Sequence, residues 1–175
     1  YRVLSDGVLV QISIRNSMVK YFELYCSIID KHRPMNPKYP FEGIIRSQNS
    51  AILQIIIEHL GETITNYTQE INQAFQNVFS KLGSDRASVR TINFLQLLIS
   101  AVDINLNFVI NGEPFINHLI KLNMLNMIEF YFDNVEDTSL LDSNTLTSPF
   151  AVALRSSEMH IIKLFLEYSI NRDID

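Results

Sequence analysis

The sequence predicts an all-α fold in which helix-turn-helix units stack on one another as a solenoid. The segment that begins at Pro40-Phe41 recurs without a gap in the segment that begins at Pro149-Phe150, and apolar residues at helical spacing run through both copies. Two weaker copies fit between them, which gives a period of about 36 residues, within the range of helical-hairpin repeats. Because one such unit cannot bury its apolar face alone, we expect neighbouring units to stack.

The two strong copies match in identical residues as well as in apolar pattern. In each copy, polar residues separate two apolar stripes, so we expect a first helix, a tight turn and a second helix. In the last copy Ser148 is the expected N-cap, and Pro149 suits the first helical position, where a missing N–H has no partner to lose. The identical pairs beyond Pro-Phe are Arg46-Ser47 with Arg155-Ser156, Ile52 with Ile161, and Glu58 with Glu167.

The domain prediction has four repeats after an N-terminal segment. Residues 1–35 are expected to be a helical segment or a degenerate capping repeat, and the repeats are expected near 36–71, 72–107, 108–143 and 144–175. The second repeat is the least regular, with a lengthened turn between Gly83 and Ser88. The second helix of the third repeat aligns best when Pro114 is moved by one position. Since the chain does not begin with Met, we expect it to be a fragment of a longer protein.

Composition excludes several classes of function. The net charge of −5 comes without a block of like charges, so we expect no nucleic-acid partner. No apolar stretch approaches the ~18 residues that span a bilayer, so we expect no membrane partner. The single cysteine, Cys26, is expected to be buried and structural, in keeping with a reducing compartment. The expected location is intracellular, in the cytoplasm rather than the nucleus.

The pattern of polar residues gives no reason to expect catalysis. The four histidines, His32, His59, His118 and His160, are scattered, with no second ligand at metal-binding spacing. No glycine-rich phosphate loop or nucleophile motif is present. We therefore expect no enzyme activity, no metal, no cofactor and no small-molecule substrate.

The repeated unit resembles an ankyrin repeat. Residues 148–155 are similar to the first helix of that family, with its Thr-Pro-Leu-His start, and residues 160–167 are similar to its second helix. Residues 40–60 are similar in the same register, and Asp103-Ile104-Asn105 resembles the segment that leads into the next hairpin. The likeness covers roughly residues 36–175. The implied fold is an array of divergent ankyrin repeats.

Two departures from the ankyrin pattern bear on packing. The small Ala-Ala pair of the family is replaced by Ile44-Ile45 in one repeat, which should push neighbouring units apart or change their twist. The turn glycine of the family is replaced by Gln48, Asn123 or Ser157. We therefore expect an irregular array, and another solenoid of helical pairs is the alternative.

The resemblance implies a protein–protein interaction module, a scaffold or adaptor segment that binds a peptide or protein domain. The alternative is an intramolecular regulatory domain of a larger enzyme or effector, whose partner is another domain of the same parent chain. Arg46 and Arg155, at equivalent positions, suit carboxylates, and Tyr39 and Tyr168 are candidate aromatic anchors. The hairpin tips are expected at Asn36, Lys38, Asn107, Asn111, Glu113, Asp142, Asn144 and Thr145. The lining formed by the first helices is expected at Glu42, Arg46, Asn117, Lys121, Ala151 and Arg155.

Overall fold

The structure, a computed structural model, describes residues 14, 19–28, 41–81, 89–135 and 148–171. Helices account for most of these residues, which confirms the all-α prediction; the one sheet among them has two short strands. The chain divides into two units. Unit 1 comprises Tyr1–Lys81 with Asn93–Ile104, and unit 2 comprises Leu82–Ile92 with Asn105–Asp175.

The secondary-structure elements follow one another in an order dominated by helix pairs. The described helices of unit 1 are α1 (Val19–Ile28), α2 (Phe41–Ser47), α3 (Ser50–Leu60), a 3₁₀ helix (Gly61–Tyr67) and α4 (Thr68–Phe79). Helix α5 (Val89–Ala101) contains the division between the units. The elements of unit 2 are β1 (Val109–Ile110), β2 (Glu113–Pro114), α6 (Phe115–Lys121), α7 (Leu125–Asn134), α8 (Pro149–Ser156) and α9 (Met159–Asn171).

In unit 1 the helices pack through an aromatic and aliphatic core. Helix α2 packs against α4, and α1 packs against α3. The Phe75 and Phe79 rings of α4 stack with their centroids 4.4 Å apart, and neither side chain is exposed. Phe41, at the start of α2, lies 5.8 Å from the Tyr67 ring. Burying side chains of this size contributes roughly 1.5–3 kcal/mol each, which stabilises the unit without a disulfide.

Unit 2 opens with a β-hairpin that is fixed to α6. Asn111 and Gly112 have φ values of 53° and 84°, as a two-residue type I′ turn requires. Phe108, just before β1, stacks on Phe115 of α6 at 4.5 Å. The Tyr131 hydroxyl of α7 donates a hydrogen bond to Asn107 Oδ1 at 2.5 Å. These contacts hold the hairpin against the helices that follow it.

The two helix pairs of unit 2 are stacked on each other. Helix α6 packs against α8, and α7 packs against α9. Phe132 of α7 makes the aromatic contacts between the second helices: its ring lies 4.8 Å from Phe165, edge to face, and 4.2 Å from Tyr168, stacked. Within this unit, therefore, first helix lies on first helix and second helix on second helix.

Three helix pairs, α2 with α3, α6 with α7 and α8 with α9, each have a turn residue in the left-handed conformation, while the turn predicted between Gly83 and Ser88 lies outside the described residues. The left-handed residues are Gln48, Asn123 and Ser157, with φ values of 50°, 52° and 59°. All three stand at the predicted turn of the repeated unit. Positive φ is rare outside glycine, so its recurrence at these positions supports the register. Gln48 directly follows α2, whereas Leu122 stands between the end of α6 and Asn123. This one extra residue accounts for the one-position shift of Pro114 in the alignment of the third repeat.

The turns after α2 and α8 also share a hydrogen-bond network. Ser47 Oγ donates to the Ile44 carbonyl at 2.8 Å, and Ser156 Oγ donates to the Ala153 carbonyl at 2.7 Å. Each serine also accepts a hydrogen bond from the N–H two residues later, at 3.3 Å in both turns. The repeated Arg-Ser pair in the sequence therefore marks one local structure that is built twice. At the start of α8, Ser148 Oγ accepts from the Ala151 N–H at 3.2 Å, which confirms the predicted cap.

Replacing Ser157 by glycine is expected to raise the free energy of unfolding by about 0.5–1 kcal/mol, because glycine adopts positive φ without steric cost. Glu129→Gly, at an exposed position inside α7, is expected to lower it by about 1 kcal/mol. Urea denaturation of both variants measures the difference. A loss of stability in Ser157→Gly equal to that in Glu129→Gly would contradict the left-handed assignment.

Two further sequence expectations concern Cys26 and membranes. Cys26 is 8% exposed, as predicted, and burial raises the pKa of its thiol to about 11. The thiol is therefore protonated at neutral pH. Among the helices in the described ranges, none combines the length and the apolar character that crossing a membrane requires.

Candidate binding surface

One basic side chain stands at the same place in each of the three helix pairs with a left-handed turn. Arg46, Lys121 and Arg155 each lie two residues before the residue with positive φ. Position in the helix is what sets the direction of a side chain, so residues with equivalent register occupy equivalent positions in their units. All three are exposed, and all three belong to the lining predicted from the sequence.

The three basic residues differ in their partners. Arg46 forms an ion pair with Glu42, one helical turn earlier in α2. Lys121 forms an ion pair with Glu113, which lies on strand β2. At the position equivalent to Glu42, the last helix pair has Ala151, and Arg155 Nε donates to the Ala151 carbonyl at 3.1 Å. Within the described residues, no carboxylate pairs with the Arg155 guanidinium.

Lys121 and Arg155 both line a concavity of about 430 Å³ in unit 2. It lies where α6 packs against α8, between the ends of these two first helices. Ile120, 1% exposed, and Val152, half-buried, supply its apolar part. The side chains that line it are Glu113, Ile120, Lys121, Asn123, Val152, Arg155, Ser156 and Glu158.

The charges around the concavity are mixed, but they are not equally available. Glu113 and Lys121 neutralise each other across the hairpin and α6. Arg155 retains its terminal N–H groups for a ligand, while Glu158, beyond the turn, lies on the side of the α9 N-terminus. A guanidinium presents planar paired donors that match a carboxylate. The arrangement can therefore receive a carboxylate at Arg155 and an apolar group beside Val152.

The structure separates the predicted partner-binding residues into several groups. Three of them, Glu113, Lys121 and Arg155, come together at the concavity. Asn111 is exposed at the hairpin tip, and Ala151 is half-buried on α8. Glu42 and Arg46 are in unit 1, where they pair with each other. Asn36, Lys38, Tyr39, Asp142, Asn144 and Thr145 lie outside the described residues.

Three predicted candidates have internal roles. Asn117 is fully buried, because α6 packs against α7, α8 and both strands, and so it is not part of the surface. Asn107 is half-buried and accepts the Tyr131 hydrogen bond. Tyr168 is half-buried and stacks on Phe132, so its ring supports the packing of α9.

Five residues that line the concavity were not predicted from the sequence as site residues. They are Ile120, Asn123, Val152, Ser156 and Glu158. Ile120 has the pattern of a core residue, and its burial agrees with that pattern. The available signal was the turn itself, since Asn123 and Ser156-Ser157 are the polar residues that end the first helices. A surface at the ends of two stacked first helices necessarily includes their turns.

In the part of the chain that the structure describes, no group of three or more His, Cys, Asp or Glu side chains is arranged to hold a metal ion. Comparisons with protein-family models, with curated proteins and with solved structures find no match to this chain.

Proposed function

We propose that this chain is a protein-interaction module of divergent ankyrin-type repeats, and that it binds a peptide or protein segment through the concavity between α6 and α8. The single observation that carries the proposal is the environment of Arg155. Its guanidinium has no carboxylate partner among the described residues, while its two counterparts are already paired. The proposed module is not catalytic.

The repeat assignment is supported by local geometry rather than by overall likeness. Left-handed residues at Gln48, Asn123 and Ser157 follow the first helix in three of the helix pairs. The serine networks after α2 and α8 agree bond by bond. A row of equivalent first-helix residues is the surface that stacked repeats offer to extended partners.

The proposed partner chemistry follows from the residues of the concavity. A carboxylate of the partner would form a charge-assisted, two-point contact with Arg155, worth about 1.5–3 kcal/mol. An adjacent apolar side chain would cover the surface beside Val152 and Ile120. The expected ligand is therefore an extended segment with an acidic residue next to an apolar one. A ligand segment of this chemistry can belong to a separate protein or to another domain of the same parent chain.

The test begins with a displayed library of random peptides, from which those that bind the immobilised 175-residue chain are selected. The selected peptides are then synthesised, and their dissociation constants are measured by fluorescence anisotropy. Arg155→Ala is expected to weaken binding about tenfold or more, which corresponds to at least about 1.4 kcal/mol. Arg155→Lys is expected to recover part of the loss, because it keeps the charge but not the planar pair of donors.

Arg46→Ala is the matched control, since Arg46 occupies the equivalent position but is paired with Glu42. It is expected to change the dissociation constant less than twofold. Equal weakening by Arg46→Ala and Arg155→Ala would remove the concavity from the proposal. A selection that yields no peptide above background would contradict the proposed function itself.

A further inference from the structure

The last helix pair exposes apolar side chains at positions that are buried or half-buried in the earlier pairs. Leu154 is 50% exposed, whereas its equivalents Ile45 and Ile120 are each 1% exposed. Leu166 is 46% exposed, whereas its equivalents are more covered: Phe132 is 3% exposed and Ile57 is half-buried. The equivalence is set by distance along the chain from the left-handed turn residue. These side chains are therefore exposed because they belong to the last pair, since the equivalent positions of the earlier pairs are more covered.

The opposite face of the last pair is buried as in the other pairs. Ile161 is fully buried, like its equivalents Ile52 and Met127, at 0% and 1%. Phe165 is 4% exposed and packs against Phe132. Helices α8 and α9 are therefore docked normally on α6 and α7, and their outer face alone is left open. Among the residues that the structure describes, eight large apolar side chains are exposed, and five of them lie on this pair: Phe150, Leu154, Met159, Leu166 and Ile170.

Three of these five side chains form one stripe on α9. Met159, Leu166 and Ile170 are separated by seven and four residues, so they fall on one side of the helix, opposite Ile161 and Phe165. Met159 and Ile170, at the two ends of the stripe, are 71% and 75% exposed. Contiguous apolar surface of this kind on a soluble protein marks an interaction site. We define these residues, with Phe150 and Leu154 of α8, as the outer face.

The charges beside the stripe are arranged to match a reversed copy of themselves. Lys163 lies in the middle of the outer side of α9, and its Nζ is 3.5 Å from Glu167 Oε1 in the same helix. If a second α9 crosses antiparallel about a twofold axis near position 165, Lys163 of each copy faces Glu167 of the other. The same axis places the Met159 end of one stripe against the Ile170 end of the other. A contact of this type is isologous, because one patch meets itself.

We propose that the outer face of α8 and α9 binds the same face of a second copy of this chain and forms a twofold-symmetric dimer. One contact then removes both apolar patches from water, which is the driving force for association. The two Lys163–Glu167 pairs across the axis set the antiparallel direction and disfavour the parallel one. This dimer is separate from the concavity between α6 and α8 and does not depend on the function proposed for it.

The experiment measures the mass of the 175-residue chain by sedimentation equilibrium over a concentration series that reaches about 100 μM, above the dissociation constants of weak standard interfaces. The wild-type chain is expected to approach twice its mass of 20.2 kDa. Leu166→Glu combined with Ile170→Glu is expected to raise the dimer dissociation constant at least about tenfold, because it introduces charges into the apolar contact. Both side chains are substantially exposed, so the helical circular dichroism is expected to be unchanged.

Two control series keep the proposal open to refutation. Asn93→Glu with Gln96→Glu adds the same two charges at exposed positions of α5 and is expected to leave the dissociation constant within twofold. Lys163→Glu is expected to weaken the dimer, and adding Glu167→Lys is expected to restore it, since the cross-axis pairs re-form with reversed sign. A wild-type chain that is monomeric at about 100 μM, or a dimer that survives the Leu166 and Ile170 changes, would overturn the proposal. Failure of the charge swap to restore the dimer would overturn its antiparallel geometry.

Discussion

Phe132→Ala is expected to lower the free energy of unfolding by about 3–5 kcal/mol, the range for removing a large side chain from a core. Phe132 is 3% exposed, and its ring contacts both Phe165 and Tyr168 of α9. The substitution removes the aromatic contacts between α7 and α9 and leaves a cavity between the two helix pairs. Urea denaturation measures the loss. Hydrogen exchange is expected to show α8 and α9 losing protection first.

The matched control for this variant is Phe79→Ala in unit 1. Phe79 is fully buried and stacks on Phe75, so its removal is expected to cost a similar free energy. Its increase in hydrogen exchange is expected in α2 to α4, the helices that pack with it in unit 1, because each element of a repeat array depends on its neighbours. An identical exchange pattern in the two variants would indicate one cooperative core and would contradict the repeat assignment.

Ile45→Ala is expected to cost about 2–5 kcal/mol, and Leu154→Ala, at the equivalent position, about 1 kcal/mol or less. Ile45 is 1% exposed in unit 1, where α4 packs on α2, whereas Leu154 is 50% exposed. Both changes remove an aliphatic side chain of the same composition from a first helix. The difference between the two losses in free energy of unfolding therefore measures how much a helix packed over this position contributes to stability.

The measurement for this pair is urea denaturation at a protein concentration low enough to keep the chain monomeric. Under those conditions the outer face of α8 and α9 has no second copy against it. Equal losses in Ile45→Ala and Leu154→Ala would show that the exposed fraction of Leu154 does not describe its environment in solution. Raising the concentration is expected to increase the cost of Leu154→Ala, because the dimer buries that side chain.

The features that could be predicted from the sequence are the local ones. The Ser148 cap and the start of α8 at Pro149 follow from hydrogen bonds and dihedral angles within a few residues of the chain. The turns were located for the same reason, through polar residues between two apolar stripes. The ion pair of Arg46 with Glu42 was not predicted, because both residues were assigned to the partner-binding lining, although residues four apart in a helix are in reach of each other.

The features that could not be predicted depend on contacts between distant segments. The ion pair of Lys121 with Glu113 requires the hairpin to return its second strand to α6, and no periodicity encodes that distance. Asn117 has a polar side chain but is buried on α6, against which α7, α8 and both strands pack. The concavity itself exists because α6 and α8 stack with their turns adjacent, so its lining combines residues that are more than thirty positions apart.

The burial of Cys26 has a practical consequence for spectroscopic work on this chain. It is the single cysteine of the sequence, and its thiol is protonated at neutral pH and largely shielded from solvent. Maleimide reagents require an accessible thiolate, so native Cys26 is expected to react slowly. A cysteine introduced at an exposed position would then carry a fluorophore or spin label selectively, without any change to the native core.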